Sequence, residues 1–287
     1  MPLRVTIVGG GLAGLISARV LREHHEVTVL ERYSGNPELG AAINMGPSAV
    51  KILRSLKFDV KRCGSIVADS SRVFDKSGKN LQMVDMSAFS RAAGADWIFQ
   101  HRVDLWTEFY HLATAPSDEL SISGSPAKVI TNAEVVNVNV DSGDVELADG
   151  TVLQSDLIVG ADGIKSIIRP LVIDQKEFET ARPSGTSAFR FLMPANEALT
   201  QMSSKGGSFA NVLDTAKPAS LDVYIATDGS SRSVVIYPVR NFELLNFVCI
   251  APDSLIKTET SESWSAVGTR EDLLDTYHDF DYLQPLL

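Results

Sequence analysis

The sequence predicts an α/β fold in which an N-terminal βαβ unit is interleaved along the chain with a mostly antiparallel sheet. Three observations carry this. A glycine-rich turn, "VTIVGGGLAGL" from Val5 to Leu15, sits between a strand pattern and a helical pattern. A second strand pattern, "EVTVL" from Glu26 to Leu30, follows it. Further on, alternating apolar segments are broken by turn signals at Gly78, Asp149-Gly150 and Asp228-Gly229.

Leu3 to Val8 is a short apolar run rich in β-branched residues and reads as a buried strand. After the glycines, Leu12, Leu15, Ile16, Arg19, Val20 and Glu23 recur at helical spacing, and their apolar members form one buried face. His24-His25 ends the helix. Gly9-x-Gly11-x-x-Gly14 therefore opens a helix directly after a strand, the context in which this pattern signals dinucleotide binding. Each glycine has its own reason. Gly9 permits the tight turn, Gly11 lets backbone N–H groups reach a pyrophosphate, and Gly14 lets helix and strand close up. The helix N-terminus turns its positive dipole end toward the anion. Glu31 closes the second strand at the distance where an acid accepts hydrogen bonds from ribose hydroxyls, and it repels a 2′-phosphate. An ordinary glycine-rich turn is the competing explanation. A secretion signal is another, since Val5 to Ala18 carry no charge, but the glycines oppose it and Arg19 stops the run short of the ~20 residues that span a bilayer.

Composition bounds the rest. A chain of 287 residues, 44% hydrophobic, can bury the core of one or two domains. The net charge of −10, with Lys and Arg scattered, argues against a nucleic-acid partner. No later segment is long enough to span a membrane. Cys63 and Cys249 show neither metal-type spacing nor a disulfide framework, so a reduced, cytoplasmic setting is expected. His278 and the other histidines lack ligand spacing, and no metal is expected.

In "HRVDLWTEFYHLA" from His101, Leu105, Phe109 and Leu112 form a helical stripe, and Asp104 lies in the first turn, where an acid suits the dipole. Arg102 just before this helix is either a flavin or phosphate ligand or a surface arginine. Val136, Val138 and Val140 then alternate with asparagines, and Asp149-Gly150 turns "DVEL" into "TVLQ", giving three antiparallel strands. Leu157 to Val159 reads as a buried run. It leads to Asp162-Gly163, just past a strand, the usual place for ligand contact in an open α/β sheet. "TSAFRFLMP" and "LDVYIATDGSSRSVVIYPVR" extend the antiparallel sheet. There Arg190 alternates with Phe189 and Phe191 and points away from them. It is either a cation for a substrate phenolate or carboxylate, or a solvent-facing residue. Tyr224 on the next long strand can serve the same oxygen, with Tyr237 in reserve; the plain alternative is a half-buried aromatic.

Together "VGGGLAGL" with Glu31-Arg32, "GAAINMGPSAVKIL" from Gly40, "HRVDL", "VGADGIKSIIR" and "VVIYPVRNFELLNFV" resemble the single-component FAD-dependent aromatic hydroxylases, the group of salicylate and p-hydroxybenzoate hydroxylase, and most of all their fungal secondary-metabolism members. The resemblance implies a Rossmann-like FAD-binding domain at 1–70 and 98–175. It implies an interleaved, mostly antiparallel substrate sheet at 71–97 and 176–265, and the start of a C-terminal helical part at 266–287. It further implies bound FAD, NADPH as co-substrate, and oxygen delivered from O₂ to a small phenolic substrate. Gly9, Gly11, Gly14, Glu31 and Arg32 match the positions that bind the ADP half of FAD. Ala42, in the loop from Gly40, matches a position near the flavin, and Arg102 matches the FAD-contacting arginine. Asp162 and Gly163 match a motif that contacts FAD indirectly and helps NADPH binding. Arg190 and Tyr224 are the catalytic candidates.

The chain departs from the family in one respect. Members carry, past the substrate sheet, a Gly-Asp motif followed by Ala, His and Pro, and this sequence has none; it closes on "LLDTYHDFDYLQPLL". The resemblance then implies a truncated or relict form with part of a sheet face bare, FAD held weakly and hydroxylation poor. A homodimer stays open. Two alternatives stand beside the monooxygenase: a non-catalytic FAD-binding or partner-binding remnant, and an NAD-dependent dehydrogenase using the glycine turn.

Overall fold

The computed structural model describes residues 1–35, 41–173, 182–202, 219–256 and 267–287. They fall into two units. The first comprises Met1–Glu38, Leu53–Asp59 and Leu105–Arg182; the second comprises Leu39–Ile52, Val60–Asp104 and Pro183–Leu287.

In the first unit, β1 (Arg4–Val8), β2 (Glu26–Leu30), β7 (Lys128–Ile130) and β11 (Leu157–Gly160) form a parallel sheet in the order β11-β1-β2-β7. Helix α1 (Leu12–Leu21) follows the glycine turn and buries Leu15 and Ala18. Just past it, the buried Arg22 guanidinium donates to the carbonyls of Leu112, Ala115 and Ser125. Those carbonyls lie at and beyond the end of α4 (Arg102–Thr114), where a helix leaves acceptors unsatisfied and a cation is favourable. The predicted α4 stripe of Leu105, Phe109 and Leu112 is buried.

Beside this sheet lies a three-stranded meander of β8 (Val135–Asn139), β9 (Asp144–Leu147) and β10 (Val152–Gln154). Its Asp149-Gly150 turn forms as predicted. Gly150 takes φ +86° and the Asp149 carboxylate accepts the Thr151 N–H at 2.9 Å. Two expectations fail here. A register shift between Val135 and Asn137 puts Val136 out of phase with the buried Val138, and Val140 lies exposed in the turn past β8. Leu157 to Val159 is not fully buried either, because β11 is an edge strand of the described sheet. Two short helices, α5 (Ser117–Leu120) and α6 (Arg169–Ile173), complete the unit.

The second unit is built on one sheet in the order β12-β15-β14-β13-β4-β6-β3, with β5 also paired to β4. Its strands are β3 (Ala42–Met45), β4 (Ile66–Asp75), β5 (Asn80–Asp85), β6 (Ile98–His101), β12 (Thr186–Pro194), β13 (Ala219–Ile225), β14 (Ser233–Val239) and β15 (Leu244–Pro252). β13 and β4 run parallel, and the other described pairs are antiparallel. Helices α2 (Pro47–Ser55), α3 (Met86–Ala93), α7 (Ala195–Met202) and α8 (Arg270–Thr276) accompany it. β4 is one ten-residue strand, and β6 and β3 continue its sheet, so 60–104 falls in the unit of the larger sheet. Residues 267–287 belong to it too.

One face of this sheet is covered. Tyr224, Val234, Ile236, Leu245, Phe247 and Cys249 form one buried cluster with Leu273, Tyr277, Phe280, Leu283 and Leu286 from the end of the chain. Burial pushes the Cys249 thiol up to about 12. The covering segment is pinned by charge. Arg232 donates to both Asp279 oxygens, at 2.7 and 2.9 Å, and to Asp228 at 2.9 Å. Lys76 reaches Asp279 at 2.6 Å, and Arg232 lies over the Phe280 ring. Among the described residues no helix is long and apolar enough to cross a membrane.

These bonds, Arg232 first, hold the Asp279 carboxyl well below the ordinary carboxylate value. A depressed folded-state value gives stability that is fully present above the unfolded carboxylate's pKa of about 4 and lost progressively as pH falls from there through the folded-state value. Asp279→Asn is expected to lower the unfolding free energy at pH 7 by about 1.5–3 kcal/mol, the range for hydrogen bonds to charged groups. Urea unfolding across pH 7 to 3 checks this, with the gap between parent and variant constant down to about pH 5 and beginning to narrow below about pH 4.

Candidate functional site

The glycine turn shows which glycines the protein itself requires. Gly9 takes φ +108°, and a Cβ there would stand 2.3 Å from the Ala161 carbonyl oxygen at the end of β11. At Gly14 a Cβ would stand 1.9 Å from the Gly9 carbonyl oxygen. Packing of strand, turn and helix therefore forces both. Gly11 is different. Its backbone is ordinary, φ −73° and ψ −175°, and an added Cβ would meet no atom within 4 Å. Among the described residues nothing stands where a side chain at 11 would go, which leaves room for a ligand to approach the backbone there.

Gly11 is also the N-cap of α1, and it brings no side-chain cap. The first turn of α1 carries no acid. An uncapped helix N-terminus beside open space suits an anion. The turn is held from two sides. Gly10 N–H donates to Glu31 Oε2 at 2.8 Å, and Gly10 C=O accepts from Trp106 Nε1 at 2.8 Å. Glu31 Oε1 accepts the Tyr33 N–H at 3.0 Å. A carboxylate offers about four lone-pair positions, so two remain for ribose hydroxyls. Arg32 is exposed and lies over the Tyr33 ring. These residues fit the ADP half of FAD. Trp106 was not legible as part of this turn, because its partner is a backbone carbonyl 96 residues away.

Asp162 follows β11 and turns inward. Its carboxylate accepts from Ser166 Oγ at 2.6 Å and from the N–H groups of Ile167 and Ile168 at 2.7 and 3.2 Å. Gly163, at φ +78°, has open space where a side chain would stand. Asp162 thus shapes the loop whose glycine faces outward, which suits an indirect contact.

In the second unit, Ala42 begins β3 and pairs with His101 on β6; Gly40 lies outside the described residues. Arg102 opens α4, and its N–H donates to the Ala41 carbonyl at 3.4 Å. The residues flanking it converge on Arg240. Arg240 Nε and Nη2 form a two-bonded fork on Asp104, at 2.9 and 2.7 Å, and Nη2 stands 3.0 Å from His101 Nδ1. Burial would raise the Asp104 carboxyl, but the fork and the His101 ring hold it below its ordinary value. Burial first, then Arg240, holds His101 below its own. Arg240 begins the β14–β15 turn, where Arg240, Asn241 and Phe242 all take positive φ: 49°, 51° and 66°. A left-handed non-glycine residue costs roughly 1–2 kcal/mol. A half-exposed ion pair contributes about 0–1 kcal/mol. The sequence hid this turn because it contains no glycine.

Arg190 lies exposed on β12, on the face opposite Phe189 and Phe191, as alternation predicts. Tyr224 does not join it. Tyr224 belongs to the cluster on the Phe189 face, stacked with Phe74 and Tyr282, and burial raises its hydroxyl far above its ordinary value. The two side chains leave opposite faces of the sheet, so they cannot serve one oxygen. Tyr237, the reserve, is in the other cluster, with Phe99 and Leu192. Burial pushes its hydroxyl up to about 12, opposed by the Arg190 charge and a hydrogen bond with Asn44. Asn246, paired across strands with Leu192 and Tyr237, is fully buried, and neither side-chain amide atom has a hydrogen-bond partner among the described residues.

Known proteins match this arrangement. Hispidin-3-hydroxylase of Neonothopanus nambi is 30% identical over 97% of this chain and 65% of its own length. Salicylate hydroxylase of Pseudomonas putida is 27% identical over 92% of this chain and 57% of its own length. The chain spans less than two thirds of the length of these curated relatives. The crystal structure of CtdE in complex with FAD has the same fold, with a TM-score of 0.71 at 22% identity over 100% of this chain and 68% of that one. The FAD binding domain family matches residues 3–279, a span that takes in the glycine turn, Glu31, Arg102, Asp162 and Arg190, and the chain belongs to that family.

Proposed function

We propose that this protein is an FAD-dependent monooxygenase that hydroxylates a small phenolic substrate with NADPH and O₂. The open space at Gly11, against an uncapped helix N-terminus and beside Glu31, carries the cofactor half of this reading. The relatives named as hydroxylases support the reaction class, and FAD is favoured over NAD by family membership. FAD, held by the N–H groups at the start of α1 and by Glu31, would supply the redox chemistry by which NADPH and O₂ yield one oxygen atom for the ring and one for water.

The residues have distinct tasks. The N–H groups at the start of α1 bind the pyrophosphate, and Glu31 accepts the ribose hydroxyls. Ala42 and Arg102 meet the flavin end, and Asp162 keeps Gly163 presented for close approach. Arg190 holds the substrate oxygen as phenolate, which raises electron density in the ring where oxygen arrives. Tyr237, neutral at pH 7, takes the place first given to Tyr224 as the second polar group on the Arg190 face of the sheet.

Two experiments test this. Glu31→Lys replaces an acceptor of two hydroxyls by a cation that can accept none, and it releases the Gly10 N–H. FAD titration by fluorescence quenching is expected to show binding abolished; parent affinity in this variant contradicts the adenosine assignment. Arg190→Gln is expected to keep FAD content unchanged while turnover drops by about 2–4 kcal/mol of transition-state stabilisation, the range for one electrostatic donor. Product formed per NADPH consumed, at matched FAD content, decides between this role and a surface arginine.

A further inference from the structure

The β14–β15 turn is costly in itself. Three successive non-glycine residues are left-handed, and the bulky Phe242 is among them. The half-exposed ion pair it makes does not offset that. Such strain persists where the surroundings impose it, and it gathers at functional positions. The surroundings here are specific. Asn241 N–H donates to the Gly64 carbonyl at 3.3 Å, and Gly64, itself at φ +59°, lies against the Asn241 side chain. This fixes the turn from behind. In front, the Arg240 guanidinium meets Asp104 and His101, the residues on either side of the Arg102–Val103 dipeptide. His101 in turn pairs with Ala42, and the Arg102 N–H is bonded to Ala41. One side chain thus braces the start of α4 and the start of β3 together.

We propose that Arg240 is a positioning residue for cofactor binding: the strained turn exists to hold its guanidinium across His101 and Asp104, and so to fix the Arg102 and Ala42 backbone where FAD meets it. The inference rests on the reading of Arg102 and Ala42 as FAD contacts. A planar fork is required for this, since a lysine supplies a point charge without two parallel bonds.

The test has two arms, on Arg240→Met and Arg240→Lys in the full chain. In the cofactor-free protein, amide hydrogen exchange is followed at Arg102 and Ala42–Met45. Both variants are expected to exchange faster there while the global unfolding midpoint stays at the parent value, and unchanged local exchange overturns the proposal. In the second arm FAD is titrated. Affinity is expected to fall by about tenfold or more in Arg240→Met, with a smaller loss in Arg240→Lys and partial recovery of Arg240→Met on adding guanidinium. Faster local exchange with parent FAD affinity overturns the proposal, as does loss that merely tracks a lowered midpoint in both variants. If the parent chain takes up no FAD, the cofactor reading itself fails, and the exchange arm still decides whether Arg240 braces these segments.

Discussion

Three backbone segments of the first unit approach so closely that no side chain fits among them. The Gly9 turn runs against the end of β11 at Ala161, and α1 closes on that same turn at Gly14. The adenosine side of the cofactor reading follows from this approach. It brings Gly10 within reach of Glu31 and Trp106, and leaves Gly11 with no described residue where a side chain would stand. A bulkier turn would separate helix from strand and scatter these groups.

The second unit answers a different constraint. Its large sheet has two faces with distinct work. One is closed by the end of the chain, with a charged clamp of Lys76, Asp228, Arg232 and Asp279 over an apolar layer. The other carries Arg190, Tyr237 and the amide of Asn246, unpartnered among the described residues. Strand alternation separates them, so a one-residue difference in phase decides which face, and which buried cluster, an aromatic joins. Tyr224 and Tyr237 fall on opposite sides of that division.

Local features were therefore legible and long-range ones were not. The glycine turn, the α4 stripe and the Asp149-Gly150 hairpin depend on residues a few positions apart, and the structure has all three. The Val136 alternation misled because a bulge resets the period, and no residue in "AEVVNVNV" marks a bulge. Tyr224 misled because its strand register against Arg190 is set through two intervening strands. The Trp106 tether, the Arg240 brace and the covering of the sheet by Tyr277 and Phe280 join positions tens to hundreds of residues apart. Only the folded chain displays them.

Gly11 is proposed to be small for the approach of a bound phosphate rather than for packing among the described residues. Gly11→Asp separates the two. An aspartate is a favoured N-cap, and its charge suits the helix dipole, so the cofactor-free protein is expected to be as stable as the parent or more stable by about 0.5–1 kcal/mol. The same carboxylate occupies and repels the pyrophosphate position. Urea unfolding paired with FAD titration is the measurement. The account predicts undiminished stability with FAD affinity down by more than about tenfold. Parent FAD affinity in a stably folded Gly11→Asp protein would contradict it.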